Sequence, residues 1–347
     1  MTGRGIDQIL PYPCNPKIYE PFVKDARDYV KFAEEVNGKI DYPVSFDYIW
    51  GDALKEIEKE KVDLKIINLE TTITTSENFE PKGINYRMNP KNIDVLKVFK
   101  VNVACLANNH ILDFGQEGLL ETIETLNKNG ILTVGAGKNV QEAEKPIIFG
   151  RRTSKILIFN YADVSSGVPI WWKAEKDKAG VNLLTSDVPR LIGKYLDVGP
   201  SLAGRQGPNI VIFSVHWGPN WGYEIEKEQR NFAHRLIDEA NVDLVFGHSS
   251  HHFKGIETYK GKFIIYGAGD FINDYEGIEG YEEFRGDLVL GYIWEFDKLT
   301  LLPFKIKKFR LNNCSQEEID WIYNVLKRES KVEGNFILEE KRIVIKL

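Results

Sequence analysis

Four apolar runs rich in β-branched residues each end in side chains that can bind a metal ion. Buried strands of a parallel sheet have this continuous apolar pattern, and their carboxyl ends meet at one crevice of an open α/β sheet. Imidazole, carboxylate and amide oxygen together form a ligand set for divalent metals. The sequence therefore predicts one polar pocket with a metal site for more than one ion. The runs and the residues after them are Leu64–Ile67 before Asn68-Leu69-Glu70, Val101–Leu106 before Ala107-Asn108-Asn109-His110, Ile210–Val215 before His216, and Val242–Phe246 before Gly247-His248 and His251.

The composition is that of a globular protein with room for a large core. The chain has 347 residues, of which 43% are hydrophobic and 28% charged, and this size allows one large α/β domain with or without a small appendage. Its net charge of −6 argues against nucleic-acid binding, which normally needs a basic face. No apolar stretch approaches the roughly 20 residues of a membrane span, and no segment has the pattern of a signal peptide.

The three cysteines are far apart and have no CxxC spacing. That pattern predicts neither a disulfide framework nor a thiolate zinc site. Cys105 lies inside an apolar strand, where it is interpreted as a small core residue. A reducing compartment fits these observations, so the sequence as it stands predicts a cytoplasmic protein.

Helical and strand patterns alternate through the first part of the chain, which predicts a parallel or mixed sheet with helices outside it. The last of these helices is followed by Gly130, a typical C-cap residue. The segments with helical spacing are Ile18–Val36, Phe46–Lys59, Asn92–Phe99 and Gln116–Asn129.

A hairpin and an insertion interrupt this alternation. Pro146–Gly150 and Lys155–Asn160 flank a polar turn, which predicts a β-hairpin. Residues 162–208 are weakly periodic and contain Trp171-Trp172, and we expect this insertion to lie over the site. The strand–helix order then returns with a helix over Glu226–Ala240. The chain thus has two parts in which strands and helices alternate, with hairpins added. This arrangement predicts two sheets packed face to face, with helices outside.

Each motif also has a simpler structural interpretation. Asp113 has the residue type of a turn or helix cap, His216 has about even odds of being a core histidine, and Glu70 has the alternative of a surface ion pair. The strongest motif is Gly247-His248-Ser249-Ser250-His251, since two histidines three residues apart on a loop can face one centre. His234 lies within a helix and is interpreted as a solvated or capping residue.

The ordered set of motifs resembles the CapA family of capsule and poly-γ-glutamate synthesis proteins, within the calcineurin-like metallophosphoesterase superfamily. The resemblance extends from about Met1 to about Asp274, and the ordered set is specific although each motif alone is weak. The motifs that carry it are Asn68-Leu69-Glu70, Ala107-Asn108-Asn109-His110 with Asp113 and Gly115, His216-Trp217-Gly218, Gly247-His248 with His251, and Ile264-Ile265-Tyr266-Gly267 with Gly269-Asp270-Phe271.

The resemblance implies a role for each matching position. Glu70 takes the place of the carboxylate that bridges two metals, and His110 that of an outer-sphere histidine that touches substrate or protonates the leaving group. The implied cofactors are two divalent ions, Mn, Fe or Zn, among which the ligand types do not choose. The other implied ligands are Asn109, His216, His248 and His251.

The resemblance also implies a fold, namely a four-layer α/β/β/α sandwich of two mixed sheets with the site at the strand ends between them. We expect residues 1–300 to form this metallophosphoesterase-type domain. Residues 301–347 are expected to add a C-terminal β-α-β extension packed on the same domain.

Two departures from the family pattern stand out. Relatives usually open with a strand that ends in Gly-Asp before a turn like Met1-Thr2-Gly3-Arg4, and that strand and its metal-binding Asp are absent. A start placed too far downstream is the favoured explanation, and an upstream segment would then make the protein membrane-associated or exported. The alternative is a site that has lost one ligand. Asp270 stands where many relatives carry Asn, and Asp270 and Arg4 are both candidate substrate-binding residues.

The leading hypothesis is a protein of capsule or poly-γ-glutamate synthesis with phosphoester-hydrolase chemistry at a di-metal site. A phosphodiesterase or phosphomonoesterase for a small or nucleotide-like substrate is the second hypothesis. The third is a non-catalytic binding subunit with an incomplete metal site. The expected partners are a phosphate-bearing or polyglutamate-related substrate and a membrane-associated synthesis complex, with no nucleic acid among them.

Overall fold

The computed structural model describes residues 1–151, 154–198 and 209–347. Within these residues the helices follow the chain from near its beginning to near its end. They are α1 (Gly5–Ile9), α2 (Arg27–Asn37), α3 (Gly51–Lys59), α4 (Asp94–Val98), α5 (Gly115–Lys128), α6 (Val140–Ala143), α7 (Val188–Val198), α8 (Lys227–Ala240) and α9 (Gln316–Glu329).

The strands are short in the first part of the chain and longer after it. They are β1 (Ile66–Asn68), β2 (Thr72–Ile73), β3 (Arg87–Met88), β4 (Val103–Cys105), β5 (Leu132–Val134), β6 (Ala136–Gly137), β7 (Ile147–Arg151), β8 (Ser154–Ala162), β9 (Gly180–Val181), β10 (Asn209–His216), β11 (Leu244–His248), β12 (Ile256–Tyr259), β13 (Lys262–Ile265), β14 (Leu288–Glu295), β15 (Lys298–Ile306), β16 (Leu311–Asn313), β17 (Asn335–Glu339) and β18 (Arg342–Lys346).

Two sheets carry the four apolar runs of the sequence. The first is parallel, in the order β1-β4-β5, and the second is mixed, in the order β12-β13-β11-β10-β8-β7. In the second sheet β8, β10, β11 and β13 run parallel, while β7 and β12 are antiparallel edge strands. The predicted mixed α/β fold is therefore confirmed.

The two sheets share apolar side chains. Val103 and Val134 of the first sheet belong to the same buried cluster as Ile158 and Ile212 of the second. Because alternate residues of a strand point to opposite faces, the other face of each sheet is free to pack on helices. Phe213 and its neighbours on β10 belong to the same buried cluster as residues of α8, and Ala104 of β4 is clustered with residues of α5.

The predicted hairpin is confirmed, since β7 and β8 pair antiparallel. Residues 152 and 153 of its turn and residues 199–208 of the predicted insertion lie outside the described residues. The described part of the insertion contains two 3-10 turns, Val164–Ser166 and Ile170–Trp172, followed by β9 and α7.

The predicted helix over Ile18–Val36 is wrong in its first half, because α2 begins only at Arg27. The preceding residues form a loop closed by bonds from the Ile18 amide to the Lys24 carbonyl and from the Ala26 amide to the Pro16 carbonyl. Pro21 lies inside this loop, where it has no amide hydrogen to donate. The polar and apolar spacing alone did not reveal that interruption.

The C-terminal residues build a third sheet. It is antiparallel, in the order β14-β15-β18-β17 with β16 added on β15, and α9 packs Ile322 and Leu326 into the cluster that the two other sheets share. The predicted boundary between residues 300 and 301 falls inside β15, and the division into two segments there stays a prediction.

Candidate functional site

The carboxyl ends of β10 and β11 place two predicted ligands side by side. His216 and His248 are register partners in this parallel pair, both rings are buried, and their Nδ1 atoms lie 2.8 Å apart. The hydroxyl of Ser214 lies 2.9 Å from Nε2 of His248. Burial lowers the pKa of His248 to about 3, and burial, followed by repulsion from a charged His248, lowers the pKa of His216.

Glu70 and Asn109 approach His216 from the side of the β1-β4-β5 sheet. Nε2 of His216 lies 3.1 Å from Oδ1 of Asn109 and 3.9 Å from Oε1 of Glu70. Burial raises the pKa of Glu70 to about 7, with the charge of Asp270 acting in the same direction. The structure thus brings a carboxylate, an amide oxygen and an imidazole together at strand ends of two different sheets.

His251 lies in a separate hydrogen-bonded group of the pocket. Its Nδ1 is 3.1 Å from Oδ2 of Asp270, and its Nε2 is 3.3 Å from the hydroxyl of Tyr275. Burial disfavours a charged ring, but the charge of Asp270 outweighs it and raises the pKa of His251. Asp270 thus contacts a predicted ligand, and its predicted contact with substrate stays a prediction.

His110 belongs to a third group, with one residue that the sequence interpretation treated as a turn and another that it missed. Its Nδ1 lies 2.7 Å from Oδ2 of Asp113 and 3.2 Å from Nζ of Lys82, while Lys82 pairs with Oδ1 of Asp113 at 2.9 Å. Burial, followed by the charge of Lys82, lowers the pKa of His110. Burial raises the pKa of Asp113 to about 7 although Lys82 opposes the shift.

Arg4 lies in a buried cluster of its own, next to the rings of Tyr86 and Tyr275. Its guanidinium donates twice to Asp274, at 2.8 and 2.6 Å, and once to Glu20 at 2.9 Å, while the ring of Tyr29 lies 3.5 Å from its central carbon. The side chain is only 2% exposed. Its predicted contact with substrate stays a prediction.

The loop after β11 is held in an unusual backbone conformation. Ser249 has φ = 118°, a region that favours glycine and that costs about 1–3 kcal/mol for other residues. Its hydroxyl donates to the carbonyl of Gly218 at 3.0 Å. A side chain on Gly247 would collide with the Tyr266 and Ile265 carbonyls, so this glycine is required by close packing of β13.

The described part of the predicted insertion packs on the site loops. The hydroxyl of Ser166 donates to the backbone carbonyl of His216 at 3.2 Å, and the indole nitrogen of Trp171 lies 3.4 Å from Oε1 of Glu80. The ring of Trp172 lies 5.4 Å from the ammonium of Lys82. The described part of the insertion therefore contacts residues at or next to the predicted site, and its predicted position over the site stays a prediction.

The two remaining histidines lie in other environments. His234 is partly exposed, lies 2.7 Å from a carboxylate oxygen of Glu257 and stacks on Tyr259, so this histidine has protein partners as well as contact with solvent. The ring of His252 packs in an aromatic cluster with Trp221 and Phe284. A charged partner far away in sequence, as in the case of His234, leaves no local signal.

Four site residues were not recognised as such from the sequence. Asp113 is three residues after His110, and that spacing is the signal that could have identified it as a partner of the ring. The other three lie at sequence distances that no short motif covers. These residues are Lys82, Ser214 and Tyr275.

Within residues 1–151, 154–198 and 209–347, no group of three or more His, Cys, Asp or Glu side chains is arranged to hold a metal ion. Among the helices of these described residues, none is long and apolar enough to span a membrane.

Comparison with known proteins places the chain in a family. Residues 1–275 match the family model described as bacterial capsule synthesis protein PGA_cap. The chain therefore belongs to this family of bacterial capsule synthesis proteins, and the predicted resemblance to CapA proteins is confirmed.

Individual relatives carry consistent descriptions. The probable polyglutamine synthesis accessory protein of Mycobacterium tuberculosis (strain H37Rv) is 42% identical over 341 residues, which cover 95% of this chain and 89% of the relative. The PGA biosynthesis protein CapA of Bacillus subtilis (strain 168) is 28% identical over 228 residues, 65% of this chain and 56% of the relative. The capsule biosynthesis protein CapA of Bacillus anthracis is 25% identical over 194 residues, 56% and 45% respectively.

Proposed function

We propose that this chain acts in the synthesis of a capsule or of poly-γ-glutamate, and that it does so as a metal-dependent enzyme with phosphoester-hydrolase chemistry. The biological role is supported by the family match and by the printed descriptions of the relatives. The chemistry is supported by one observation, the meeting of Glu70, Asn109 and His216 at strand ends of two sheets. We further infer that the two sheets and their helices stack as an α/β/β/α sandwich.

The donor set of this group fits one divalent ion. Ligand atoms about 2.1 Å from one tetrahedral ion lie about 3.4 Å from one another. The separations of 3.1 and 3.9 Å from Nε2 of His216 lie within about 0.5 Å of that value. Carboxylate, amide oxygen and imidazole suit Mn, Fe or Zn. Oδ1 of Asn109 only accepts, so Nε2 of His216 carries the ring hydrogen in its contact with Asn109. Glu70, Asn109 and His216 would therefore hold the ion once this hydrogen moves to Nδ1.

A second ion requires His248 and His251 to exchange partners. The two ring nitrogens of His248 face Ser214 and His216, and those of His251 face Asp270 and Tyr275. One nitrogen of each ring must give up its hydrogen bond before it can act as a ligand. We therefore propose a site for two ions, in which the second ion is bound more weakly than the first.

When bound, such an ion would supply positive charge that stabilises a phosphoryl group. Residues of the protein itself would transfer the proton that the leaving group needs. Since Nδ1 of His110 faces Asp113 and Lys82, Nε2 is the nitrogen left for a substrate. A bound phosphate ester brings negative charge that favours proton uptake at Nε2, and His110 then gives this proton to the leaving oxygen.

One experiment tests the chemistry. Protein loaded with Mn²⁺ should hydrolyse bis-p-nitrophenyl phosphate, and His110→Ala should lower kcat by about 10²–10⁴-fold while metal content stays unchanged. His234→Ala is the matched control, because it removes a histidine outside the pocket, and it should leave both quantities unchanged. Loss of bound metal in His110→Ala would contradict its role outside the ligand set.

A second candidate function is a non-catalytic binding subunit. It is favoured by the finding that the described residues contain no group of three His, Cys, Asp or Glu side chains arranged for a metal. Metal-loaded protein that fails to hydrolyse the phosphodiester, yet binds a γ-linked glutamyl peptide in calorimetry, would support this candidate. Hydrolysis that the same peptide inhibits would instead support an enzyme for a polyglutamate-related substrate.

A further inference from the structure

Lys82 reaches the pocket from the loop between β2 and β3. Its side chain is 18% exposed, and its ammonium contacts the backbone carbonyl of Asn109, Nδ1 of His110 at 3.2 Å and Oδ1 of Asp113 at 2.9 Å. An ammonium has three N–H donors and accepts nothing. Two of these contacts, the Asn109 carbonyl and the Asp113 carboxylate, are acceptors that the ammonium holds, so the structure makes Lys82 a residue that holds protein groups in place.

The ring of His110 lies between a group that only accepts and a group that only donates. Its Nδ1 is closer to Oδ2 of Asp113, at 2.7 Å, than to Nζ of Lys82, at 3.2 Å. An ionised carboxylate accepts hydrogen bonds only, so with Asp113 ionised the short contact places the ring hydrogen on Nδ1. The tautomer of a histidine is set in this way by the partner of its other nitrogen, and here it leaves the lone pair on Nε2.

We propose that Lys82 is a positioning residue, which fixes the orientation and the tautomer of His110 by pairing with Asp113, so that Nε2 is presented to the substrate. The importance of Nε2 for turnover rests on the proposed function. The pairing itself does not, since it involves only groups of this chain.

Neighbouring residues keep this arrangement rigid. The backbone amide of Tyr86 donates to Oδ2 of Asp113 at 2.6 Å, and the Tyr86 ring packs edge-on against His110 with centroids 4.3 Å apart. On the opposite side, Trp172 covers the ammonium of Lys82. A charged group held from three sides loses little further freedom when it orients His110, as a positioning role requires.

The tautomer can be measured without any activity. In ¹⁵N-histidine-labelled protein at pH 8, long-range ¹H–¹⁵N NMR should show His110 with its hydrogen on Nδ1. Lys82→Met should lose this preference or broaden the signals, while Lys82→Arg, which keeps the charge and the donors, should retain it. Lys100→Met is the control, because Lys100 forms an exposed pair with Glu58. Wild-type His110 with its hydrogen on Nε2 would overturn the inference.

Kinetics with bis-p-nitrophenyl phosphate and Mn²⁺ separate positioning from substrate binding. Lys82→Met should lower kcat by about 10²-fold, change KM by less than about 3-fold, and keep its metal content, while Lys82→Arg should recover kcat to within about 5-fold of wild type. A raised KM with unchanged kcat would overturn the inference, because Lys82 would then bind the substrate. A wild-type protein with no turnover but a Lys82-dependent Nδ1 tautomer would refute the proposed function and leave this inference standing.

Discussion

Two cations near the predicted site, Arg4 and Lys82, are held in different ways. Arg4 is 2% exposed, is paired with two buried carboxylates, and is covered by the ring of Tyr29. Lys82 is 18% exposed and pairs with one carboxylate, that of Asp113. The Arg4 cluster has more charge-assisted bonds and less contact with solvent than the Lys82 cluster.

Tyr86 lies between the two clusters and connects them. The guanidinium of Arg4 lies 4.9 Å from the centre of the Tyr86 ring. The same ring packs against His110. The hydroxyl of Tyr86 is 2.9 Å from that of Tyr275, which in turn contacts His251. We propose that the more fully paired Arg4 cluster forms a rigid floor, on which the less fully paired Lys82 cluster holds His110.

The largest expected effect is on the Arg4 cluster. Asp274→Ala removes two charge-assisted bonds and leaves the buried guanidinium with Glu20 alone. Breaking a buried ion pair from one side costs about 3–5 kcal/mol, and urea unfolding measures this loss directly.

The control for this variant is an exposed ion pair. Glu58→Ala removes the partner of Lys100, and both side chains are more than half exposed, so the free energy of unfolding should change by less than about 1 kcal/mol. A loss of similar size in both variants would contradict the claim that the Arg4 cluster is a rigid floor.

An intermediate effect is expected at Asp113, and it depends on pH. Burial raises its pKa in the folded protein to about 7, from 3.8, so between those values the folded state binds a proton that the unfolded state has lost. The free energy of unfolding of wild type relative to Asp113→Asn should therefore fall as pH rises from about 5 to about 7, by up to about 1.4 kcal/mol per pH unit. Denaturation at pH 5, 6 and 7 gives the slope, and a difference that is constant with pH would contradict it.

The smallest effect is expected at Trp171, where the insertion meets the Lys82 loop, and the buried Trp172 beside it is the control with a large expected effect. Trp171 is 63% exposed, and its bond to Glu80 is 3.4 Å long, so Trp171→Ala should change the free energy of unfolding by less than about 0.5 kcal/mol. Trp172→Ala removes a buried ring that covers Lys82 and should cost about 3–5 kcal/mol. Equal effects of the two variants would show that the insertion does not hold the loop as described.

Much of the fold could be predicted because apolar runs and their ends are local signals. The strands that end at His216 and His248, and the hairpin before them, follow from short-range patterns. The helix predicted over Ile18–Val36 was wrong in its first half, because proline and loop hydrogen bonds override periodicity there.

The candidate site was only partly predictable, for a physical reason. The strand ends bring predicted ligands together because a sheet converts sequence motifs into neighbours. Lys82 and Tyr275 reach the pocket from loops, and Arg4 is paired with Asp274, 270 residues away. Pairings of that range depend on the complete fold, which no local pattern contains.

Manganese binding by isothermal titration calorimetry tests most directly the claim that Glu70, Asn109 and His216 form a metal site. Wild-type protein, first stripped with a chelator, should bind at least one equivalent of Mn²⁺. His216→Ala should weaken this binding by more than about 100-fold, and His234→Ala should leave it unchanged. Wild-type protein that binds no Mn²⁺, or a His216→Ala variant that binds it as tightly as wild type, would contradict the claim.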